Sequence, residues 1–244
     1  MDSCFIAKLQ HYLPLTDREK AALTVLEDDP KDYPPGTTIF TEGQTRTDAL
    51  YLVQHGRLHA STLLADGSRA LLKLYYPGDT VGNSSLPFAA AVHTVVTVTE
   101  SRLCRVPVEN MSVIFEQHPR IAALLYSISM LEQVALSDRL RSIGRTDGKS
   151  RIGALFLEIL SRMRITDKSL TNVFDVRLTK AEIGDATGLT HVHVNRLLRE
   201  LTENGLITRK GSMVTILDEA RLREESHFTD RYSRLASDWL PAAR

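Results

Sequence analysis

Between Thr179 and Leu201 the sequence encodes two short helices and the turn between them, and no other stretch constrains the chain as tightly. Thr179 and Glu182 form a capping box, in which the hydroxyl accepts the N–H of Glu182 and the carboxylate reaches back to the N–H of Thr179. The first helix is expected to end at Gly188, since glycine takes the left-handed conformation that a tight turn requires. Thr190 then caps a second helix, predicted from His191 to about Asn204. Within it Val194, Leu197, Leu198 and Leu201 fall at i, i+3, i+4 and i+7, a single stripe for burial. His191, Val192, His193, Asn195, Arg196 and Arg199 are left on the outer face.

A helix pair of this kind can lay its second helix in a major groove. Arg196 can donate bidentately to guanine O6 and N7, and Asn195 can pair with adenine N6 and N7. His191 and Val192 complete the candidate base-reading face. After Asn204-Gly205, two β-runs joined by Arg209-Lys210-Gly211-Ser212 read as a hairpin wing with a basic tip. The tip, with Lys210, is placed to meet the DNA backbone, and Thr179 and Arg199 are further candidate contacts to it. Residues 145–244 carry 17 basic and 14 acidic side chains, against 10 and 14 in residues 1–116, so the second half is the one suited to phosphate. Double-stranded DNA is the expected partner.

The first half follows a different pattern. Apolar residues Phe5, Ile6, Leu9, Leu13, Leu23, Val25 and Leu26 predict a short helical entry. From Tyr33 onward, short β-rich runs follow: Thr37–Thr41, Ala49–Val53, Arg57–Leu64, Ala70–Tyr75, His93–Thr99 and Arg102–Val106. Breaks at Glu42-Gly43, His55-Gly56, Asp66-Gly67 and Pro77-Gly78-Asp79 separate them, which argues for an antiparallel sandwich or barrel. Helical spacing takes over from Pro119 to about Ile143, with Ile121, Leu124, Leu125, Ile128, Leu131 and Ala135 at three- and four-residue steps. A helix of about 25 residues extends roughly 37 Å. Its Ile/Leu seam predicts pairing with a second copy, a homodimer. Gly144 is expected to end it, leaving Arg145-Thr146-Asp147-Gly148 as a hinge before an amphipathic helix over Lys149–Met163.

A short strand over Val173–Leu178 is expected to lead into the helix pair. Asp218–Phe228 reads as a surface helix, and Tyr232, Leu235, Trp239 and Leu240 are expected to pack back on the domain. The expected fold is therefore α+β. An N-terminal antiparallel β-roll (jelly-roll-like) sensor domain covers 1–116, a long dimerisation helix 117–144, and a winged helix-turn-helix 145–217, with an extension over 218–244.

Several function classes fall away. With 43% hydrophobic residues, the chain has no apolar run near the roughly 18–20 residues that cross a bilayer. Met1-Asp2-Ser3-Cys4-Phe5 lacks the basic start of a secretory signal, so a cytoplasmic protein without a membrane partner is expected. Cys4 and Cys104 offer no metal-ligand spacing and read as ordinary thiols. No nucleophile elbow or phosphate loop is present. A metal-dependent, cupin-like enzyme would rest on His55, His59 and Glu42 alone, so no catalytic residue, metal or cofactor is expected.

Taken over roughly residues 5–217, the chain resembles the Crp/Fnr family of bacterial transcription regulators. The resemblance rests on the β segment from Pro35-Gly36 to Pro107, on Pro77-Gly78-Asp79-Thr80-Val81-Gly82, on the long helix, and above all on Leu189-Thr190-His191-Val192-His193-Val194-Asn195-Arg196-Leu197-Leu198. It implies a cyclic-nucleotide-binding-like β-roll and a homodimer on a palindromic promoter site, with RNA polymerase as a further partner. Arg196 matches the family's preferred base-reading arginine. Val192 stands where many members have a glutamate that accepts from cytosine. Lys180, Thr190, His193 and Lys210 match phosphate-contacting positions.

The resemblance does not extend to a known effector. Where the cyclic-AMP-binding branch has Gly-Glu-Leu and a later Arg-Ser or Arg-Thr, this chain has Gly82-Asn83-Ser84-Ser85-Leu86-Pro87 and His93-Thr94. The ribose carboxylate and the phosphate-binding guanidinium are both missing, which argues against cyclic AMP. Val81, Gly82, Asn83, Ser84, Ser85, His93 and Thr94 remain the candidate pocket for an unidentified small-molecule effector. Two cysteines cannot build the iron–sulfur cluster of the oxygen-sensing branch. His11, His55, His59 and His93 leave a haem- or redox-responsive regulator open, with His55 and His59 expected on one face of a strand. A constitutive regulator is the other alternative. An effector, if bound, is expected to re-aim the DNA-binding domain through the Gly144–Gly148 hinge.

Overall fold

The computed structural model describes residues 3–45 and 48–243, so the start of the Met1–Phe5 reading lies outside the described residues. Ser3 accepts the N–H of Ile6 at 2.8 Å and starts α1 (Cys4–Tyr12). Thr16 and Glu19 form a capping box on α2 (Asp17–Thr24). A 3-10 turn (Val25–Glu27) leads into eight strands: β1 (Pro30–Tyr33), β2 (Thr38–Phe40), β3 (Ala49–His55), β4 (Leu58–Leu63), β5 (Arg69–Tyr75), β6 (Thr80–Val81), β7 (Thr94–Thr97) and β8 (Ser101–Pro107). They make two four-stranded sheets, in the orders β1-β8-β3-β6 and β2-β7-β4-β5. Phe40, Val53, Leu58, Ala60, Tyr75, Val81, Val95 and Leu103 form a buried cluster drawn from both sheets. Six strands were legible from alternating β-rich runs. β1 escaped because Pro30, Lys31 and Asp32 are exposed at a sheet edge, paired only with β8.

The turn before β6 carries an ion pair that the sequence pattern did not announce. Gly78 has φ 86°, and a Cβ there would lie 2.6 Å from the Cys4 carbonyl oxygen. That close approach brings α1 over the turn, where the Lys8 ammonium pairs with Asp79 Oδ1 and Asp79 Oδ2 accepts the N–H of Tyr76 at 2.8 Å. Both side chains are buried. A second correction concerns the histidines. Gly56, at φ 89°, turns the chain between β3 and β4, so His55 and His59 sit on different strands and do not share one strand face. His55 is exposed and His59 buried.

After α3 (Val108–Gln117), α4 runs unbroken from Pro119 to Arg145. Gly144 does not end it. The residue keeps a negative φ, and the helical bond continues from the Thr146 N–H to the Ser142 carbonyl at 3.0 Å. Glycine weakens a helix interior by about 1 kcal/mol but does not terminate it unless the backbone turns left-handed. The expected hinge shrinks to Thr146-Asp147, because Asp147 already caps α5 (Gly148–Thr166) by accepting from Ser150 N–H at 2.8 Å.

Half of the expected dimer seam is turned inward. Ile121, Leu124 and Leu131 are buried within the chain itself, and Leu125, Ile128 and Ala135 are half-buried. The apolar side chains left exposed are Tyr126, Met130, Val134, Leu136, Leu140 and Ile143. A three/four-residue periodicity identifies the apolar stripe that a helix buries, but it does not say whether the chain or a partner covers it.

The described residues divide into two compact units, one built on residues up to Ser68, Leu72–Met130 and the segment from Arg234, the other on Arg69–Leu71 and Leu131–Ser233. In the second, β9 (Val173–Asp175), α6 (Lys180–Thr187), α7 (His191–Glu203), β10 (Ile207–Lys210), β11 (Met213–Ile216) and α8 (Glu219–Glu225) follow α5. The sheet order is β10-β11-β9. β9 stops before Leu178 because Arg177 takes φ 53°, its N–H held by Asp175 Oδ1 at 3.2 Å. The end of α4 is bonded to α5 through buried charge. Arg139 donates to both Glu158 oxygens at 3.1 and 3.0 Å, and Arg162 lies 3.5 Å from Glu132 and 3.8 Å from Glu158. Asp138 accepts Arg231 at 2.8 Å.

The extension is only partly a surface element. Leu222 of α8 is buried, and a Cβ on Gly153 of α5 would meet Ser226 Oγ at 2.0 Å. Tyr232 packs inward beneath the Arg162 guanidinium, 5.3 Å from its ring centre. Leu235 and Leu240 are half-buried. Trp239 remains 56% exposed, touching only the edge of Tyr126 among the described ring contacts.

Removing one member of a buried ion pair strands the other charge, at about 3–5 kcal/mol. Asp79→Ala should therefore lower unfolding free energy by about 3 kcal/mol or more in urea titration, with the slope unchanged. A loss below about 1 kcal/mol would mean that Lys8 finds water when its partner is gone.

Candidate nucleic-acid interface

The capping box of α6 forms as its sequence requires: Thr179 Oγ1 accepts from Glu182 N–H at 3.2 Å, and Glu182 Oε2 accepts from Thr179 N–H at 2.8 Å. The same Oε2 also takes the Thr179 hydroxyl proton at 2.9 Å. The Thr179 hydroxyl is thus engaged within the cap, accepting from the Glu182 N–H and donating to the Glu182 carboxylate. Gly188 ends α6 at φ 68°, and Thr190 caps α7 by accepting from His193 N–H at 3.3 Å.

Gly184 sets how closely the two helices meet. Its carbonyl accepts from Leu189 N–H at 3.0 Å, and a Cβ at this position would lie 2.3 Å from the Leu189 carbonyl oxygen. Only glycine fits such a backbone approach without movement. At the start of α5, a Cβ on Gly148 would come within 2.5 Å of Leu197 Cδ1, the end of a side chain of α7. Val194, Leu197, Leu198 and Leu201 are buried, as the spacing predicted. That leaves His191, Val192, His193, Asn195, Arg196 and Arg199 in solvent together with Lys180 and Thr190.

Two of these side chains are held by neighbours that the reading of α7 did not include. Arg196 Nη1 donates to Glu200 Oε1 at 2.6 Å, one helical turn on. The i, i+4 spacing carried that signal. Lys180 Nζ donates to Asn195 Oδ1 across the helix pair, a contact only the fold could bring about.

On the wing, β10 and β11 pair from Ile207 opposite Ile216 to Lys210 opposite Met213, and Gly211 turns the hairpin at φ 63°. Lys210 is exposed at the tip. Arg209 instead folds inward, donating to the Gly211 and Leu178 carbonyls at 2.9 and 3.1 Å, and its partial burial lowers its pKa.

In the β-roll, the candidate effector residues meet at one corner. Val81 is buried on β6, Gly82 takes φ 94°, and Asn83–Ser85 form a 3-10 turn. Ser85 Oγ accepts the Val92 N–H at 3.2 Å, which brings this turn beside His93 and Thr94. Thr94 Oγ1 accepts from Glu42 N–H at 3.0 Å, and the Glu42 carboxylate accepts from Thr62 at 2.7 Å. Burial lowers the pKa of His93 while Glu42 opposes that shift. A carboxylate this near does not favour a phosphate. Cys104 is buried against the Glu27 carbonyl; burial, then Glu27, push its thiol up to about 11, the reverse of what a reactive cysteine needs. Among the described residues, no group of three or more His, Cys, Asp or Glu is placed to hold a metal, and no helix is long and apolar enough to cross a membrane.

Comparison with known proteins matches two family models in tandem: a cyclic nucleotide-binding domain over residues 30–118 and a Crp-like helix-turn-helix domain over residues 150–225. The chain belongs to the Crp/Fnr family. It is similar to the nitrogen fixation regulation protein FixK of Azorhizobium caulinodans, 28% identical over 80% of this chain and 77% of that one. It is also similar to the transcriptional activator protein FnrL of Cereibacter sphaeroides, 27% identical over 80% and 79%. In fold it matches FixK2 from Bradyrhizobium japonicum at a TM-score of 0.70, 21% identical, covering 80% of this chain and 95% of that one. As a Crp/Fnr-type chain it is a transcription regulator with a DNA-binding helix-turn-helix.

Gly184→Val forces the helix pair of this Crp/Fnr domain apart or distorts it, at a cost of about 2–4 kcal/mol. Thermal unfolding should shift down accordingly, and binding to duplex DNA should fall with it. A melting curve identical to that of the parent would show that α6 and the following turn have room to separate.

Proposed function

We propose that this chain regulates transcription as a homodimer that reads a palindromic duplex site, with α7 of each copy in the major groove. The observation that carries this reading is the set of exposed side chains on α7 above a fully buried apolar stripe. Arg196 supplies a fork suited to guanine O6 and N7. Val192 is 67% exposed at the first turn of α7, and its methyl groups suit the C5-methyl of thymine where relatives with glutamate would accept from cytosine. His191 completes the base-facing group. Thr190, His193, Arg199 and Lys210 flank it, suited to phosphates on either side.

The exposed side of α4 supports the second copy. Tyr126, Met130, Val134 and Leu140 lie on one side of the helix, opposite the residues it already buries. A run of large apolar side chains in water is unfavourable unless covered. A twofold pairing of like helices covers it symmetrically and sets two recognition helices on successive half-sites. The β-roll corner at Gly82–Ser85 and His93-Thr94 is the candidate effector site, for a ligand whose recognition does not depend on an anionic phosphate. RNA polymerase is the further partner such a regulator implies.

Selection of random duplexes by the purified protein should return a symmetric site with half-sites about one helical turn, roughly 34 Å, apart. Repeating it with Arg196→Ala should erase the guanine preference at one position of each half-site, about 1–3 kcal/mol of discrimination. Salt-labile binding with no motif would sink the reading of α7 as a sequence reader.

Leu140→Glu, which introduces two like charges at a twofold interface, should shift sedimentation from dimer to monomer. A dimer that persists in this variant would place the interface elsewhere.

A further inference from the structure

Lys180 and Asn195 lie 15 positions apart, on α6 and α7, and were expected to act separately, one on phosphate and one on a base. Their contact changes what each can do. A lysine ammonium has donors only, so the Asn195 amide must turn its oxygen toward Lys180. The amide NH2 is then the group left facing outward. An asparagine free in solution can recognise adenine by accepting from N6 and donating to N7. With its oxygen turned toward Lys180 and one lone pair taken, Asn195 meets a base mainly as a donor.

We propose that Lys180 is a positioning residue that sets the base preference of Asn195, so that Asn195 reads a base acceptor in the major groove rather than pairing bidentately with adenine. The acceptors available are guanine N7 and O6, thymine O4 and adenine N7. The contact is exposed on the same face as Arg196 and Val192. Arg196 is oriented in the same way, by Glu200 at 2.6 Å. Two of the base-facing side chains of α7 thus have their donors directed before DNA arrives, which reduces the ordering that binding must supply. The proposal rests on the reading of α7 as the base-reading helix.

The test is random-duplex selection with the full chain, followed by binding to every single-base variant of the recovered site. Parent protein, Lys180→Met, Lys180→Arg, Asn195→Ala and Asn195→Asp are compared. Both positions are exposed, so folding is expected to survive these changes. Lys180→Met and Asn195→Ala should flatten the preference at the same base pair, by about fivefold or more. Lys180→Arg, which keeps a donor toward Asn195, should restore it. Asn195→Asp replaces the outward donor by an acceptor and should turn that position toward cytosine or adenine, whose exocyclic amines donate. If Lys180→Met weakens every sequence equally and lowers the salt slope by about one, Lys180 is a phosphate contact and the proposal is wrong. Retained discrimination at the Asn195 position in Lys180→Met overturns it equally. A parent protein that recovers no site overturns the base-reading function itself and this inference with it.

Discussion

The approach of two backbones at Gly184 is the constraint from which the functional surface follows. The Leu189 N–H bonds the Gly184 carbonyl at 3.0 Å, and no Cβ could occupy the space between them. That spacing fixes where the chain turns at Gly188 and therefore where Thr190 starts α7. Once the start and direction of α7 are fixed, burial of Val194, Leu197, Leu198 and Leu201 fixes its rotation, with Arg196, Asn195 and Val192 on the opposite side. The position of the exposed side chains of α7 is thus a consequence of one glycine and four apolar residues.

Charge performs a different task from apolar burial in this chain. Arg139 and Glu158, Arg162 with Glu132 and Glu158, and Asp138 with Arg231 join the end of α4, α5 and the segment after α8. Desolvation offsets much of the Coulombic gain of such pairs, so their contribution is to geometry more than to net stability. An apolar contact would tolerate sliding, whereas a bidentate guanidinium has one good arrangement. With only Thr146 and Asp147 between α4 and α5, this network gives a junction defined by directed bonds. In the first unit, the Lys8–Asp79 pair plays the same part, tying α1 to the turn before β6.

Much of the site was legible because its signals are local. A capping box, a glycine at a left-handed position and an i, i+3, i+4, i+7 stripe each involve residues within two turns of one another. The side-chain pairing of Lys180 with Asn195 was not legible, since it joins two helices whose crossing depends on Gly184. At Thr179 the sequence announces the capping box but not that Glu182 takes the hydroxyl proton as well. Among the strands, β1 lacks alternation because it is an exposed edge, and β9 is shorter than its β-rich run because Arg177 leaves the extended region.

The sequence by itself determined the succession of a β-rich half, a long helix and a winged helix pair. It also determined which face of α7 is polar, since periodicity and caps are properties of neighbouring residues along the chain. Only the tertiary structure decided which side of α4 is left exposed. Ile121, Leu124 and Leu131 looked like an interface and proved to be interior, while Tyr126, Met130, Val134 and Leu140 proved to be exposed. Hydrophobic spacing tells that a side chain will leave water. What it packs against is set by residues remote in sequence, and so is decided only when the chain has folded.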